Sequence, residues 1–184
     1  GRLRAVVGGL DEKEGSRVFN RGTDAVRQVG STMKPIGAYA LALAQDDIHW
    51  STLFLDDYVR MEEDEKTGEV KPWPANVTQV YTQKEITVAD ALAESVNTVA
   101  VRVGEVAGIR NIYNFVTQQL GITTFVPQDV DAGPMVLGSS TYGVTPYELA
   151  AAYMMFGSGG IYTTPHCYES VQTGYGKILL EPQV

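Results

Sequence analysis

Ser31 and Lys34 stand three residues apart at the mouth of an apolar stretch, in the run Arg27-Gln28-Val29-Gly30-Ser31-Thr32-Met33-Lys34-Pro35. Glycine before the serine permits a tight approach to a helix start. Pro35 fits a helix only in its first turn, where a missing N–H has no partner to lose. The helix therefore begins close to Ser31, with the serine in its first turn or at its cap. Residues at i and i+3 share a helix face, roughly 5–6 Å apart at Cβ. A hydroxyl and an amine then meet at the positive end of a helix dipole, an arrangement suited to a nucleophile and its base. By itself the pair is cheap, since Ser-x-x-Lys arises by chance about once per couple of hundred residues. Its setting adds weight. Residues 38–44 are apolar almost all round, as in a buried helix, so the lysine either snorkels outward or is held in a cleft with a lowered pKa.

A second pair, Ser95 and Asn97, falls in Ser95-Val96-Asn97, a break between two helical stretches. If the link is extended, residues two apart point the same way, and a hydroxyl and an amide project together from one corner. The local alternative is that Ser95 ends one helix and Asn97 caps the next.

The elements that must position these groups follow from the pattern along the chain. Leu3 to Gly9 reads as a short strand stopped by glycines, and Arg17-Val18-Phe19-Asn20 as its return strand after a charged turn at 11–15. Residues 61–71 are strongly charged and read as a surface excursion. Lys71-Pro72-Trp73-Pro74 is extended, because each proline biases its predecessor away from helix. Thr87 with Asp90 marks a helix start. Helices over 98–107 and 109–120 end at Gly108 and Gly121, which suit C-terminal caps. Thr145-Pro146-Tyr147-Glu148 is a full capping box opening a helix over 149–156. The tail alternates about Gly174-Tyr175-Gly176, as a hairpin does. Strands at both ends with helices between give an α+β domain.

The chain's 184 residues suit one domain or a compact pair of subdomains. A net charge of −8 argues against a nucleic-acid partner. The longest apolar runs, about a dozen residues or shorter, fit neither a signal peptide nor a membrane span. The single cysteine, Cys167, excludes an internal disulfide, and His49, His166 and Cys167 make no metal site by spacing.

Taken together, these residues resemble the penicillin-binding transpeptidase domain of class A, the bifunctional cell-wall synthases. Ser-x-x-Lys and Ser-x-Asn are two of the three motifs shared by such enzymes and the serine β-lactamases. Phe19-Asn20-Arg21, Arg27-Gln28-Val29-Gly30-Ser31, Trp73-Pro74-x-Asn76 and Ala91-Leu92-Ala93-Glu94-Ser95-Val96-Asn97-Thr98 are similar to the family's corresponding stretches. So are Leu137-Gly138-Ser139, Thr145-Pro146-x-Glu148-Leu149 and Ala152-Tyr153 through to Gly160. Val29 stands where the family usually has proline. Lys66-Thr67-Gly68 spells the third motif but precedes the second and lies in an acidic run, so it is read as a turn. The family's own Lys-Thr-Gly strand is expected past Val184.

The resemblance implies a β-lactamase/transpeptidase-like fold, with a helical subdomain packed on an antiparallel sheet that this chain leaves incomplete. Residues 1–184 would form the N-terminal part of the domain, with open sheet edges unless other strands are supplied. It implies D,D-transpeptidation of peptidoglycan stem peptides through an acyl-enzyme on Ser31, with Lys34 as base, Ser95 as proton relay and Asn97 binding the substrate amide. It implies inhibition by β-lactams and no cofactor or metal. A membrane anchor and a glycosyltransferase domain would lie upstream, with this domain at the extracytoplasmic face of the bacterial membrane. The alternatives are a β-lactamase or β-lactam sensor of the same fold, or a non-catalytic module. Lysine at its reference pKa of about 10.4 is no base near neutrality, so burial must lower it by roughly three units.

Overall fold

The computed structural model describes residues 1–10, 12, 15–64 and 67–181. It is an α+β structure of two units, one comprising Gln28–Phe115 and Phe125–Gly143, the other Gly1–Arg27, Val116–Thr124 and Val144–Val184.

In the first unit a continuous helical run starts as a tight 3-10 turn at Gly30–Thr32. It widens to a π turn over Pro35–Tyr39 and closes as α1 (Ala40–Ala44). Proline near the start accounts for the change of pitch: its ring and missing N–H disrupt the i→i−4 pattern around it. Met33, Ile36, Ala38, Tyr39 and Ala42 are buried, as the apolar run requires. Gly37 has no room for a Cβ, which would collide with the Met135 carbonyl. Helix α3 (Asn97–Ala107) packs beside this run through Val99, Ala100, Val101 and Val103, all fully buried. Valine side chains contribute roughly 1.5–3 kcal/mol each on burial, so Val99, Val101 and Val103 add several kcal/mol to the unit's cohesion.

Four short strands flank the helices. β1 (Leu53–Leu55) pairs antiparallel with β4 (Glu85–Thr87), and β2 (Arg60–Glu63) with β3 (Val70–Trp73). β4 runs straight into α2 (Val88–Ala93), whose Asp90 N–H is capped by the Thr87 hydroxyl, as the sequence predicts. The charged excursion over 61–71 is more ordered than its composition suggests. It forms the β2–β3 hairpin, with the Arg60 guanidinium 4.0 Å from the centroid of the Trp73 ring. Lys66 of the Lys66-Thr67-Gly68 tripeptide lies outside the described residues. Gly68 (φ +70°) sits in the hairpin's turn, and its N–H donates to the Asp64 carbonyl. Helix α4 (Ile109–Asn114) follows α3 through Gly108 and continues as a wider turn, Phe115–Gln119.

In the second unit the two strands expected at the N-terminus do not form. Arg2 makes a single bridge with His166, and Arg21 N–H reaches the Gly8 carbonyl, but neither 3–9 nor 17–20 is a strand. An alternating segment becomes a strand only when a neighbour completes its ladder, and the described residues offer none. α5 (Pro146–Gly157) opens with the expected capping box between Thr145 and Glu148. β5 (Val171–Gln172) and β6 (Ile178–Leu180) make the C-terminal hairpin. The described residues thus hold three two-stranded sheets and no larger one.

Candidate active site

Lys34 is 1% exposed, an extreme position for a group that is normally charged and solvated. Its Nζ donates to the Ser95 hydroxyl at 2.9 Å, to the Ser95 carbonyl and to Asn97 Oδ1. Loss of hydration pushes the amine down from its ordinary 10.5 to about 8. At pH 7 roughly a tenth of such amines are neutral, against about one in three thousand at the ordinary value. Of the three acceptors, the carbonyl of Ser95 and the amide oxygen of Asn97 can only accept. The Ser95 hydroxyl can also donate, so it alone can reverse its bond when the amine gives up a proton.

Ser31 lies in the opening 3-10 turn and is exposed. Its hydroxyl makes no hydrogen bond with Lys34 among the described residues, whose amine faces Ser95 and Asn97. The turn is shaped by backbone. Gly30 has φ +55°, and its N–H points to the Gly138 carbonyl at 3.4 Å. Gly138, itself at φ +74°, leaves no space for a Cβ against the Gly30 backbone. The Gln28 side-chain amide donates to the Ser140 carbonyl, and buried Asp129 accepts from both the N–H and the hydroxyl of Thr141 at 2.8 Å.

Ser95 departs from the sequence expectation of an extended link. It has φ +55°, in the left-handed region. Its N–H donates to the Leu92 carbonyl and that of Val96 to the Ala91 carbonyl, the two bonds of a Schellman helix ending. Glycine is the least strained residue there, and a serine costs roughly 1–2 kcal/mol. The strain turns Ser95 back toward Lys34. Asn97 is the first residue of α3, and its side chain does not cap that helix. It accepts from Lys34 and donates to the Ala75 carbonyl at 2.6 Å.

The cap is supplied from elsewhere. Asn76 Oδ1 accepts the N–H groups of Asn97 (3.0 Å) and Thr98 (3.3 Å). Its Nδ2 donates to Asp56 Oδ1 at 2.7 Å, as does the Thr98 hydroxyl. Asp56 Oδ2 accepts the N–H and hydroxyl of Thr82 at 3.0 and 2.8 Å. Burial raises the Asp56 carboxyl, but the bonds from Thr98, Thr82 and Asn76 outweigh it and hold it below its ordinary value. Arg102 fastens the next residues by donating to the Asp57 and Tyr58 carbonyls. Sequence reasoning found Asn76 only as part of a resemblance and missed Asp56. The available signal was a carboxylate directly after the apolar run Leu53-Phe54-Leu55.

The arrangement is therefore an exposed serine, a desolvated lysine and a serine–asparagine corner on adjoining helices. The chain resembles the PonA1 protein from Mycobacterium tuberculosis, solved in complex with penicillin V, with a TM-score of 0.66 and 23% identity, the match covering 91% of this chain and 44% of that one. Penicillin-binding protein 1A of Neisseria flavescens is 33% identical over 185 residues, and that of Clostridium botulinum (strain Langeland) 28% over 186. Each alignment covers 100% of this chain and 22% of the relative, so the chain spans about a fifth of those proteins. The family model for the penicillin binding protein transpeptidase domain matches residues 4–183, and the chain belongs to that family.

Proposed function

We propose that this chain carries the acyl-transfer half-site of a D,D-transpeptidase that cross-links peptidoglycan stem peptides and is acylated by β-lactams. The observation that carries this reading is the buried amine of Lys34, lowered to about 8 and bonded to Ser95 and Asn97. Ser31 Oγ attacks the carbonyl of the penultimate D-alanine and its proton passes to neutral Lys34. The Ser31 N–H, at the helix start, stabilises the developing oxyanion. Ser95 relays the proton to the departing amine, so the C–N bond breaks, terminal D-alanine leaves and an ester remains on Ser31. An amine of a neighbouring stem then attacks the ester, forming the new amide and returning the hydroxyl. Asn97 binds the amide of the substrate or of a β-lactam side chain.

In this reading residues 1–184 are the N-terminal part of the transpeptidase domain, and the Lys-Thr-Gly strand with its second oxyanion donor lies beyond them. The same reading puts a membrane anchor and a glycosyltransferase domain upstream and the domain at the extracytoplasmic face. No helix among the described residues is long and apolar enough to cross a membrane.

The test is covalent labelling by a fluorescent penicillin of the longest natural polypeptide that carries this sequence, with the modified residue located by mass spectrometry. A stable adduct on Ser31, lost in Ser31→Ala, supports the proposal. Rapid release of the label would favour a β-lactamase, and no adduct in a folded protein would reject serine chemistry.

A further inference from the structure

Asp56 is a buried carboxylate that the proposed chemistry does not use. It lies 20 residues before Asn76 in sequence and 42 before Thr98, yet both donate to it at 2.7 Å. A carboxylate with no cationic partner among the described residues and 2% exposure is an expensive group to retain for cohesion alone. Its neighbours say what it holds. Every atom of the Asn76 amide is assigned: Nδ2 to Asp56 Oδ1 and the Val80 carbonyl, Oδ1 to the N–H groups of Asn97 and Thr98.

A carboxylate can only accept, so it forces Asn76 to present its NH2 inward and its oxygen toward α3. With the opposite orientation, an NH2 would face the two N–H groups that open α3, and Asn97 would lose its backbone anchor. The Thr98 hydroxyl fixes the same turn a second time. We propose that Asp56 is a positioning residue for acylation: through Asn76 and Thr98 it sets the first turn of α3, and so holds Asn97 and the adjoining Ser95 against the Lys34 amine. This rests on the transpeptidase reading above and adds to it a residue that acts through Thr98, 42 positions later in the chain.

The test measures acylation by a fluorescent penicillin in the longest natural polypeptide carrying this sequence. The limiting acylation rate and the dissociation constant of the penicillin are determined separately, per folded molecule. Asp56→Asn puts an NH2 among four donor bonds and is expected to lower the limiting rate about 10- to 100-fold, with a smaller change in the dissociation constant. Displacement on the scale of an ångström has consequences of that size. Thr145→Ala, which removes the cap of α5, serves as the control and should lower Tm with the rate unchanged.

If Asp56→Asn does not accumulate as folded protein, Thr98→Val carries the test. It deletes one tie at constant volume and is expected to cost about 10-fold in limiting rate. A native rate per folded molecule in either variant overturns the proposal. Failure of the unmodified protein to be labelled on Ser31 would strike the transpeptidase reading instead, so the two failures are distinguishable.

Discussion

The Ser31 turn and the Ser95–Asn97 corner are built in opposite ways. The corner is held by side chains: Lys34 meets Ser95 and Asn97, Asn76 caps α3, and Asp56 gathers the donors behind it. The Ser31 turn is held by backbone, where Gly30 and Gly138 are both left-handed and a Cβ on Gly138 would collide with the Gly30 backbone. The difference matches the tasks. An amine must be kept dry and in one place to be neutral near pH 7, which takes a network of oriented acceptors. The nucleophile proposed at Ser31 would have to stay open to a substrate, and there the surroundings are fixed by the path of the chain.

Substitutions should therefore separate the two regions. The largest effect is expected at the corner's centre. Lys34→Met keeps the length of the side chain and removes the proposed base, and acylation should fall by at least about 10³-fold in a protein that remains folded. Stopped-flow labelling together with a thermal melt would check both halves, and retention of more than a tenth of the rate would exclude Lys34 as base.

Ser95→Gly comes next and should pull stability and activity apart. Glycine relieves the left-handed strain, roughly 1–2 kcal/mol, while Lys34 loses one acceptor, a bond of about 1 kcal/mol. Stability should change little or rise slightly, yet acylation should drop about 10²-fold because the reversible hydroxyl is gone. Denaturant unfolding beside the labelling rate is the measurement, and parallel loss of both would contradict the relay.

Gly138→Ala is expected to act on the other region and less strongly. Its Cβ has no place against Gly30, so the Ser31 turn must shift, at a cost of about 1–3 kcal/mol and roughly 10-fold in acylation. The Lys34 titration should stay where it is, since no part of the corner is touched. A shifted titration would mean that the two regions are not independent.

Much of this was legible in the sequence, and what was not has a common cause. The helix after Ser31, the Thr87 and Thr145 caps and the C-terminal hairpin rest on local rules, and each formed. The pairing of Lys34 with Ser95 and Asn97 was reachable as a resemblance, because two short motifs named the residues. The N-terminal strands were overread, since a short run bounded by glycines and a charged turn does not say whether a partner strand exists beside it. The left-handed turn at Ser95 was missed because serine is not the residue that conformation favours. The role of Asp56 was missed for a related reason: a carboxylate after Leu53-Phe54-Leu55 marks a position, but its partners lie 20 to 42 residues away and no local pattern encodes such contacts.

The most direct measurement is the pH dependence of Ser31 acylation, read as the second-order rate with a penicillin from pH 6 to 10.5. Lys34 titrates at about 8 in the folded protein and near 10.5 once unfolded. The neutral amine therefore accumulates through pH 8, and the unfolded chain binds more protons between those values, so folding stability also rises with pH across that window. The expected result is a rate that climbs to a plateau with its midpoint near 8, and a Lys34→Met protein that lacks both the climb and the stability rise. A flat profile, or a midpoint near 10.5 where an ordinary lysine titrates, would contradict a buried amine as the base.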